Sequence, residues 1–149
     1  MKAAPVLAIL LLPALAGCHV DFLDTDHRNF EGFYSYAGTV DDAAGDAVIG
    51  DFTITRQRGD RAQVAIDWIY LDNGEEIIHI TTDSPAIADI DSDGRIYFEF
   101  EGNLITDDGT VHFRLEHDGR LRNRTMTGFW RLVTGLPTDD TGTFTAHRE

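Results

Sequence analysis

The chain has 149 residues and a formal net charge of −14, because 26 acidic residues outnumber 12 lysines and arginines. Such an acidic chain is repelled by nucleic acid and by anionic lipid surfaces, so neither a nucleic-acid-binding nor a polybasic membrane-binding role is expected. The length suffices for one domain with a hydrophobic core and is short for two.

The first 17 residues have the layout of a secretory signal peptide. A positive start, Met1-Lys2, precedes an apolar run over residues 6–15 that is too short to span a bilayer. The run leads into Leu15-Ala16-Gly17-Cys18, which resembles the lipobox of bacterial lipoproteins. In that family the cysteine is lipidated and the chain is cut just before it. The resemblance therefore implies a cleaved signal peptide over residues 1–17 and lipid on Cys18; an ordinary signal peptide with a chance cysteine is the alternative.

The predicted anchor also indicates a location. Cys18 is the only cysteine, so a disulfide framework is excluded, and lipidation accounts for a single cysteine in an exported chain. More than one acyl chain makes such attachment stable. His19 follows the cysteine where aspartate would imply the inner membrane in proteobacterial lipoproteins, so the resemblance implies the outer membrane, facing the periplasm. The short, polar and acidic residues 18–29 are predicted to form the lipidated tether.

Residues 30–149 are predicted to form one all-β domain. Apolar side chains recur at every second position, for example from Ala62 to Tyr70 and from Val111 to Leu115, which is typical of half-buried antiparallel strands. Turn-forming sequences separate the runs: Arg58-Gly59-Asp60, Asn73-Gly74, Asp93-Gly94, Asp108-Gly109 and Asp118-Gly119. We expect a single antiparallel meander of eight or nine strands, which buries its edges by closing into a barrel or folding into a sandwich.

The two ends of this domain favour the barrel. Phe30-Glu31-Gly32-Phe33-Tyr34 at its start and Gly142-Thr143-Phe144-Thr145-Ala146-His147-Arg148 at its close resemble the ends of lipocalin-like (calycin) barrels. In that family a Gly-x-aromatic motif in the first strand packs beside an arginine from near the last strand. Here Tyr34 stands where the family usually has tryptophan. The resemblance implies a lipocalin-like barrel in which Tyr34 contacts an arginine near the C-terminus.

A predicted hairpin supplies candidate ligand-binding residues. We expect His117, Asp118 and Gly119 to form a three-residue loop, because a two-residue loop would place Arg122 and Arg124 among the apolar side chains, at a high cost for unpaired charges. This register turns three polar residues inward after Leu121, namely Asn123, Thr125 and Thr127. They would either contact a small molecule inside the barrel or line a wet barrel mouth.

The sequence Asp89-Ile90-Asp91-Ser92-Asp93-Gly94 is a candidate calcium loop. Alternate carboxylates can converge on one hard cation, and the glycine permits a sharp turn. The match departs from an EF-hand at the twelfth position, where Phe100 replaces glutamate, and strands rather than helices flank it. Asp89, Asp91 and Asp93 are thus either structural Ca²⁺ ligands or part of a plain hairpin turn, and no other cofactor is expected.

Two further groups of residues have competing interpretations. Arg114, Arg120, Arg122, Arg124 and Arg131 form the one cationic concentration found in the sequence, which would either recognise a carboxylate or phosphate or lie as a solvated face paired with nearby acids. Trp68 and Tyr70 are expected to pack in the core rather than to stack on a sugar.

No catalytic signature is found. The cysteine is assigned to lipid, no Gly-x-Ser-x-Gly occurs and the six histidines lack metal-ligand spacing. We therefore expect a membrane-anchored, non-catalytic binding module of the bacterial cell envelope, whose partner is a small molecule or another envelope protein. The alternatives are a structural or accessory lipoprotein with a filled, calcium-stabilised core and, with less support, a hydrolase of envelope polymers.

Overall fold

The computed structural model describes residues 29–82, 84–106, 109–134 and 140–149. The predicted signal peptide, Cys18 and the predicted tether up to residue 28 lie outside these residues. Within the described ranges, no helix has the length and apolar character needed to cross a membrane.

The described chain contains nine strands separated by short connections. They are β1 (Gly32–Thr39), β2 (Ala47–Arg58), β3 (Arg61–Asp72), β4 (Glu75–Thr81), β5 (Ala86–Ile90), β6 (Arg95–Thr106), β7 (Gly109–Arg122), β8 (Thr125–Val133) and β9 (Asp140–Arg148). Each strand pairs antiparallel with its neighbours.

Eight of these strands close into a barrel. The ring runs β1-β2-β3-β5-β6-β7-β8-β9 and is completed by pairing between β9 and β1, while β4 is an additional strand on the edge of β3. Closure removes the free edges of an open sheet, which explains why a chain of short amphipathic strands adopts this form. The predicted all-β fold and the preference for a barrel over a sandwich are confirmed.

Aromatic side chains fill the barrel interior. On β3 the alternation predicted from the sequence is observed, with Ala62, Val64, Ile66, Trp68 and Tyr70 all buried. Buried rings from the other strands meet them in stacked and edge-on contacts: Tyr34, Tyr36, Phe52, Phe98, Phe100, His117, Trp130 and Phe144. Burial of large rings is a major source of stability, so the interior is a packed core.

The predicted turns at Arg58-Gly59-Asp60, Asn73-Gly74 and Asp93-Gly94 are present, and Asp108 of a fourth lies outside the described residues. The hairpin predicted at Asp118-Gly119 is wrong. β7 continues through both residues and turns at Asn123 and Arg124, whose φ angles of 48° and 68° are those of a tight hairpin turn. The Asp118 carboxylate accepts a hydrogen bond from Arg95 Nε on β6 (2.8 Å). Gly119 faces inward, where an added Cβ would come within 2.9 Å of the Phe144 ring. Asp118 therefore forms an ion pair and Gly119 allows close packing, and neither residue forms a turn.

One end of the barrel, here called the N-terminal end, carries the start of β1 and the end of β9. Arg148 Nε donates to Tyr34 Oη (3.1 Å), and its guanidinium carbon lies 5.6 Å from the centre of the Tyr34 ring. Tyr34 Oη in turn donates to the Phe30 carbonyl (2.8 Å), and Arg148 also bonds the Asn29 carbonyl. Burial raises the pKa of Tyr34, an effect that Arg148 partly offsets. The predicted contact between Tyr34 and a C-terminal arginine is confirmed, and it ties the first described residues to the last strand.

Candidate functional site

The barrel wall is interrupted beside β3. Residues Asp67–Asp72 of β3 pair with β4, whereas Arg61–Val64 pair with β5, so β4 and β5 follow one another along the same edge. Thr82 holds the junction, because its N–H donates to the Ile66 carbonyl (3.2 Å) and its hydroxyl accepts from the Ile66 N–H (3.0 Å). Pro85, which cannot donate to a strand ladder, lies in the connection between the two strands.

The next strand, β6, is much longer than β5. Only Tyr97 and Ile96 pair with β5, and from Phe98 to Thr106 the strand is paired only with β7. Over almost all of their length, the Cα atoms of β4 and β6 lie more than 8 Å apart. Paired strands are about 4.8 Å apart, so these two do not join. The resulting opening between β4 and β6 is called the lateral groove.

The deep part of the lateral groove is a cleft of about 470 Å³. Ile80 of β4, Phe100 of β6 and Phe113 of β7 contribute its buried apolar wall. Gly102 lies against the Phe113 ring, where an added Cβ would come within 2.8 Å of a ring carbon. The polar lining residues are Thr81, Thr82, Ser84, Glu99, Glu101 and Asn103. The cleft thus combines a buried apolar wall with an equally extensive polar lining, and its volume lies in the usual range for a small-molecule site.

The groove continues toward the opposite end of the barrel as a second cleft of about 430 Å³, which shares Asn103 with the first. Its mouth carries two conspicuously exposed apolar side chains, Ile105 (90% exposed) and Ile77 (55% exposed). Ile78, Leu104 and Val111 extend the same apolar lining. Grouped exposed apolar residues in a concave region mark binding surfaces, whereas single ones are common on any protein.

The rim of the groove is acidic. His79 Nε2 lies 2.6 Å from Asp67 Oδ1, and its other ring nitrogen is 3.6 Å from a Glu76 oxygen. On the other side Glu99 accepts a hydrogen bond from the Tyr97 hydroxyl (2.9 Å). Burial of Tyr97, with this bond and the nearby carboxylates, raises the pKa of Tyr97 to about 12. The rim therefore attracts hydroxyl groups and cations rather than anions.

The barrel interior contains one buried titratable group on the apolar face of β7. His117 stacks on Phe98, with ring centres 4.8 Å apart, and its Nε2 lies 3.3 Å from Tyr36 Oη. Its Nδ1 has no hydrogen-bond partner, and neither has Trp68 Nε1. Burial lowers the pKa of His117 to about 3, so the ring is neutral at physiological pH. Burial raises the pKa of Tyr36, so the hydroxyl beside it is also neutral.

The predicted ligand-binding residues do not point into the barrel. Asn123 is exposed in the β7–β8 turn, Thr127 is exposed on β8, and half-buried Thr125 hydrogen-bonds to His147 Nδ1 (3.1 Å). The inward orientation was wrong because the turn lies at Asn123-Arg124 and not at residues 117–119. Thr125 and Thr127 are thus on the outer face, and Asn123 serves the turn itself.

The predicted calcium loop is a hairpin between β5 and β6, and its carboxylates do not converge. Asp89 forms an ion pair with Arg61 (3.6 Å), and Asp93 forms one with Arg120. Asp91 uses its backbone to close the turn, donating its N–H to the Arg95 carbonyl (2.8 Å). Throughout the described part of the chain, no group of three or more His, Cys, Asp or Glu residues could hold a metal ion.

The predicted arginine row lies on the outside of the barrel, as expected, and several of its members are paired. Arg114 forms an ion pair with Glu116 (2.8 Å), Arg120 pairs with Asp93, and Arg124 donates to the Arg148 carbonyl (3.1 Å). Trp68 and Tyr70 are buried, so the core interpretation of both residues is confirmed.

The lateral groove was not predicted from the sequence. Phe113 was assigned to an ordinary strand, and nothing in the alternation shows that the wall between β4 and β6 stays open. Two signals were available: the apolar pair Ile77-Ile78, which interrupts strict alternation, and Pro85 between two short strands. Both mark a strand that does not continue regularly.

Similarity to known proteins is confined to the fold. No protein-family model matches this chain, and no curated protein matches it. A redesigned β-barrel, mFAP1, bound to DFHBI, is similar over 83% of this chain and 98% of its own, with a TM-score of 0.53 and 12% identity. EF1p2_mFAP2b, also bound to DFHBI, is similar over 80% and 93% of the two chains, with a TM-score of 0.54 and 8% identity. A proposed outer membrane protein from Bacteroides fragilis NCTC 9343 matches over 83% of this chain and 52% of its own, with a TM-score of 0.47 and 10% identity.

Proposed function

We propose that this protein is a lipid-anchored, non-catalytic binding protein of the bacterial cell envelope that holds an elongated, largely apolar small molecule in the lateral groove. Lipid on Cys18 attaches it to the outer membrane, facing the periplasm. The observation that supports the binding role is that the wall is open between β4 and β6 and lined there by Ile80, Phe100 and Phe113.

The site proposed here differs from the interior cavity that a lipocalin-like barrel suggests. The interior is filled by aromatic rings, so the groove supplies space that the core does not. The two similar barrels are bound to a small molecule, DFHBI, which shows that a fold of this kind is compatible with such a ligand. The acidic rim favours a neutral or cationic ligand, with hydroxyl or amine groups toward Glu99 and Glu101.

Binding is proposed rather than catalysis because of the chemistry of the deep wall. A reacting group would need a polar side chain in contact with it, and Ile80, Phe100 and Phe113 offer only hydrocarbon. Glu99, Glu101 and Asn103 are exposed on β6, where they suit recognition of the exposed part of a ligand.

A partner protein is the second candidate occupant, and the unpaired strand edges favour it. β4 is paired only with β3, and β6 from Phe98 onward is paired only with β7, so both present free backbone groups to the groove. An extended segment can add between two such edges through main-chain hydrogen bonds, with alternate side chains in the apolar clefts.

A photo-crosslinking amino acid at position 105 distinguishes these occupants. Ile105 is 90% exposed at the groove mouth, so the replacement should leave the fold intact. After irradiation in cells, we expect intact-mass spectrometry to show an adduct of a discrete organic mass. An adduct that digests into peptides would support the partner-protein alternative.

The matched control is the same replacement at Ile49, an exposed isoleucine on the outer face of β2 and outside the groove (40% exposed). It should give no adduct. Equal labelling at the two positions, or none at position 105, would contradict binding in the groove.

The anchor has its own test. We expect the intact mass of the protein purified from envelopes to equal a chain that begins at Cys18 and carries acyl groups. A chain that retains residues 1–17, or one that begins elsewhere without lipid, would contradict the anchor without bearing on the groove.

A further inference from the structure

A second candidate site lies at the N-terminal end, on the outside of the β2–β3 hairpin. A cleft of about 420 Å³ is lined there by three arginines, Arg56, Arg58 and Arg61, together with Ala62, Gln63 and Ile87. It is called the arginine cleft. Three arginine side chains along one concave surface are unexpected on a chain with a net charge of −14, and none of them lines the lateral groove.

A backbone irregularity contributes to this grouping. The register between β2 and β3 shifts between Thr55 and Arg58, and Arg56 has a φ of 53°, in the left-handed region. An arginine in that conformation is strained, and strain of this kind is often retained where a side chain must point in a particular direction. The bulge places Arg56 and Arg58 on the same cleft as Arg61, although they lie on two strands.

The charges in the cleft are incompletely neutralised. The side chains of Arg56 and Arg58 are exposed, and neither side chain forms an ion pair or hydrogen bond with a described residue. Arg61 pairs with Asp89 at 3.6 Å, and both side chains are more than two-thirds exposed, so solvent screens this contact strongly. Other arginines near this end, such as Arg95 and Arg120, are held by carboxylates on neighbouring strands. The cleft therefore has guanidinium groups free to bind an anion.

The cleft also lies beside the point where the chain enters the barrel. The Phe30 N–H donates to Gln57 Oε1 (2.7 Å), and the Gln57 N–H donates to Glu31 Oε1 (2.6 Å). Gln57 is the residue between Arg56 and Arg58, so the first described residues are hydrogen-bonded to the bulge itself. The twelve residues from Cys18 to Asn29 reach at most about 43 Å when fully extended. Lipid on Cys18 would thus hold the arginine cleft near the membrane surface.

We propose that the arginine cleft binds the phosphate group of an anionic phospholipid at the membrane to which the chain is anchored. Guanidinium groups match phosphate oxygens with paired hydrogen bonds, and Ile87, 53% exposed at the edge of the cleft, can contact the glycerol or the upper acyl chain. The net charge of the whole chain predicts repulsion from anionic lipid, and the cleft is a local exception. Bound in this way, the barrel stands with its N-terminal end on the membrane and the lateral groove in its outer half.

Short-chain lipids below their micelle concentration test the proposal. Isothermal titration of the full lipidated chain, held in neutral-detergent micelles, would use dihexanoyl phosphatidylglycerol, dihexanoyl phosphatidylcholine and inorganic phosphate as separate probes. We expect saturable binding of phosphatidylglycerol that is weakened at least about tenfold by the double substitution Arg56→Gln and Arg58→Gln, because each removes a charge-assisted contact. The matched control, Arg122→Gln with Arg124→Gln, removes the same charge from the β7–β8 turn and should bind as the parent does.

Several results would overturn the proposal. Equal loss in both double variants would show that only net charge matters. Equal affinity for inorganic phosphate would assign the cleft to a free anion instead of a lipid, and equal affinity for phosphatidylcholine would remove the role of the anionic headgroup. Absence of binding by the parent chain would exclude the site. None of these results depends on whether the lateral groove binds a ligand.

Discussion

Acidification is expected to destabilise the wild-type protein by roughly 1.4 kcal/mol for each pH unit below 6.5 through His117 alone. In the unfolded chain this histidine takes up a proton near its ordinary pKa of 6.5, whereas in the folded protein burial lowers the pKa to about 3. Between these values the unfolded state binds more protons, so stability rises with pH and is lost as the pH falls. The full contribution, lost by about pH 3, is on the order of 5 kcal/mol.

A comparison with His117→Phe isolates this effect. Phenylalanine retains the stacking on Phe98 and the edge contacts with Tyr36 and Phe144, and it cannot be protonated. Urea unfolding of both proteins would be measured at pH 7, 6, 5 and 4. As the pH falls, the unfolding free energy of the wild type should decrease relative to that of the variant. The many carboxylates titrate alike in both proteins and cancel in that difference. Parallel pH profiles would show that His117 is not buried as a neutral group.

Substitution of Gly142 by alanine is expected to cost about 3 kcal/mol or more, or to prevent folding. An added Cβ would overlap the backbone carbonyl oxygen of Thr39 and come within 2.7 Å of Trp130 Nε1. That indole N–H donates to the same Thr39 carbonyl (3.0 Å), so Trp130 and two strands converge on the glycine. Relief requires separation of β1 from β9, which is one of the pairings that close the barrel.

Two variants give this prediction its controls. Gly59→Ala, in the β2–β3 turn, has no atom within 4 Å of its added Cβ and a φ of 63°, so it should cost only about 1–2 kcal/mol of backbone strain. Adding Trp130→Phe to Gly142→Ala should not restore stability, because the overlap with the Thr39 backbone remains. A cost for Gly142→Ala no greater than for Gly59→Ala, from denaturant midpoints, would contradict the close packing of β1, β8 and β9.

The fold was largely predictable because its driving force is local and periodic. Alternating apolar residues define which face of β3 and β7 is buried, whatever the strand pairing, and the faces assigned to Phe113, Leu115 and Leu121 are confirmed. The prediction of a turn at Asp118-Gly119 was wrong because an Asp-Gly pair can have two structural roles. It supplies a turn, or it supplies an ion pair beside a residue without a side chain, and only packing against Phe144 and pairing with Arg95 decides between them.

The failure of that turn also hid His117. The predicted hairpin placed His117 in a loop and gave it no role. In the structure β7 is continuous, so His117 lies on the same inward-facing side as Phe113 and Leu115 and is part of the core. A hairpin displaced by a few residues thus changed a buried histidine into a loop residue and three outward or turn residues into interior ones. Site predictions from sequence depend on register far more than fold predictions do.

The lateral groove and the arginine cleft were beyond sequence reasoning for a different reason. The groove lies between β4 and β6, which are neither consecutive in the sequence nor paired with each other. The arginine cleft depends on the bulge at Arg56. Alternation reports which face a residue occupies, but not whether neighbouring strands meet. These features are properties of the assembled sheet.

Because β4 lies outside the closed ring, its position is set by one hairpin and not by the barrel. It is held by its pairing with β3 and by the Asn73-Gly74 turn, while the eight-stranded ring closes without it. A displacement of β4 would therefore change the width of the groove without breaking the ladders of the ring. Because Ile80 of β4 is buried against the core and Thr82 bonds to Ile66, the width of the groove depends on the contacts of this one strand with β3 and not on closure of the ring.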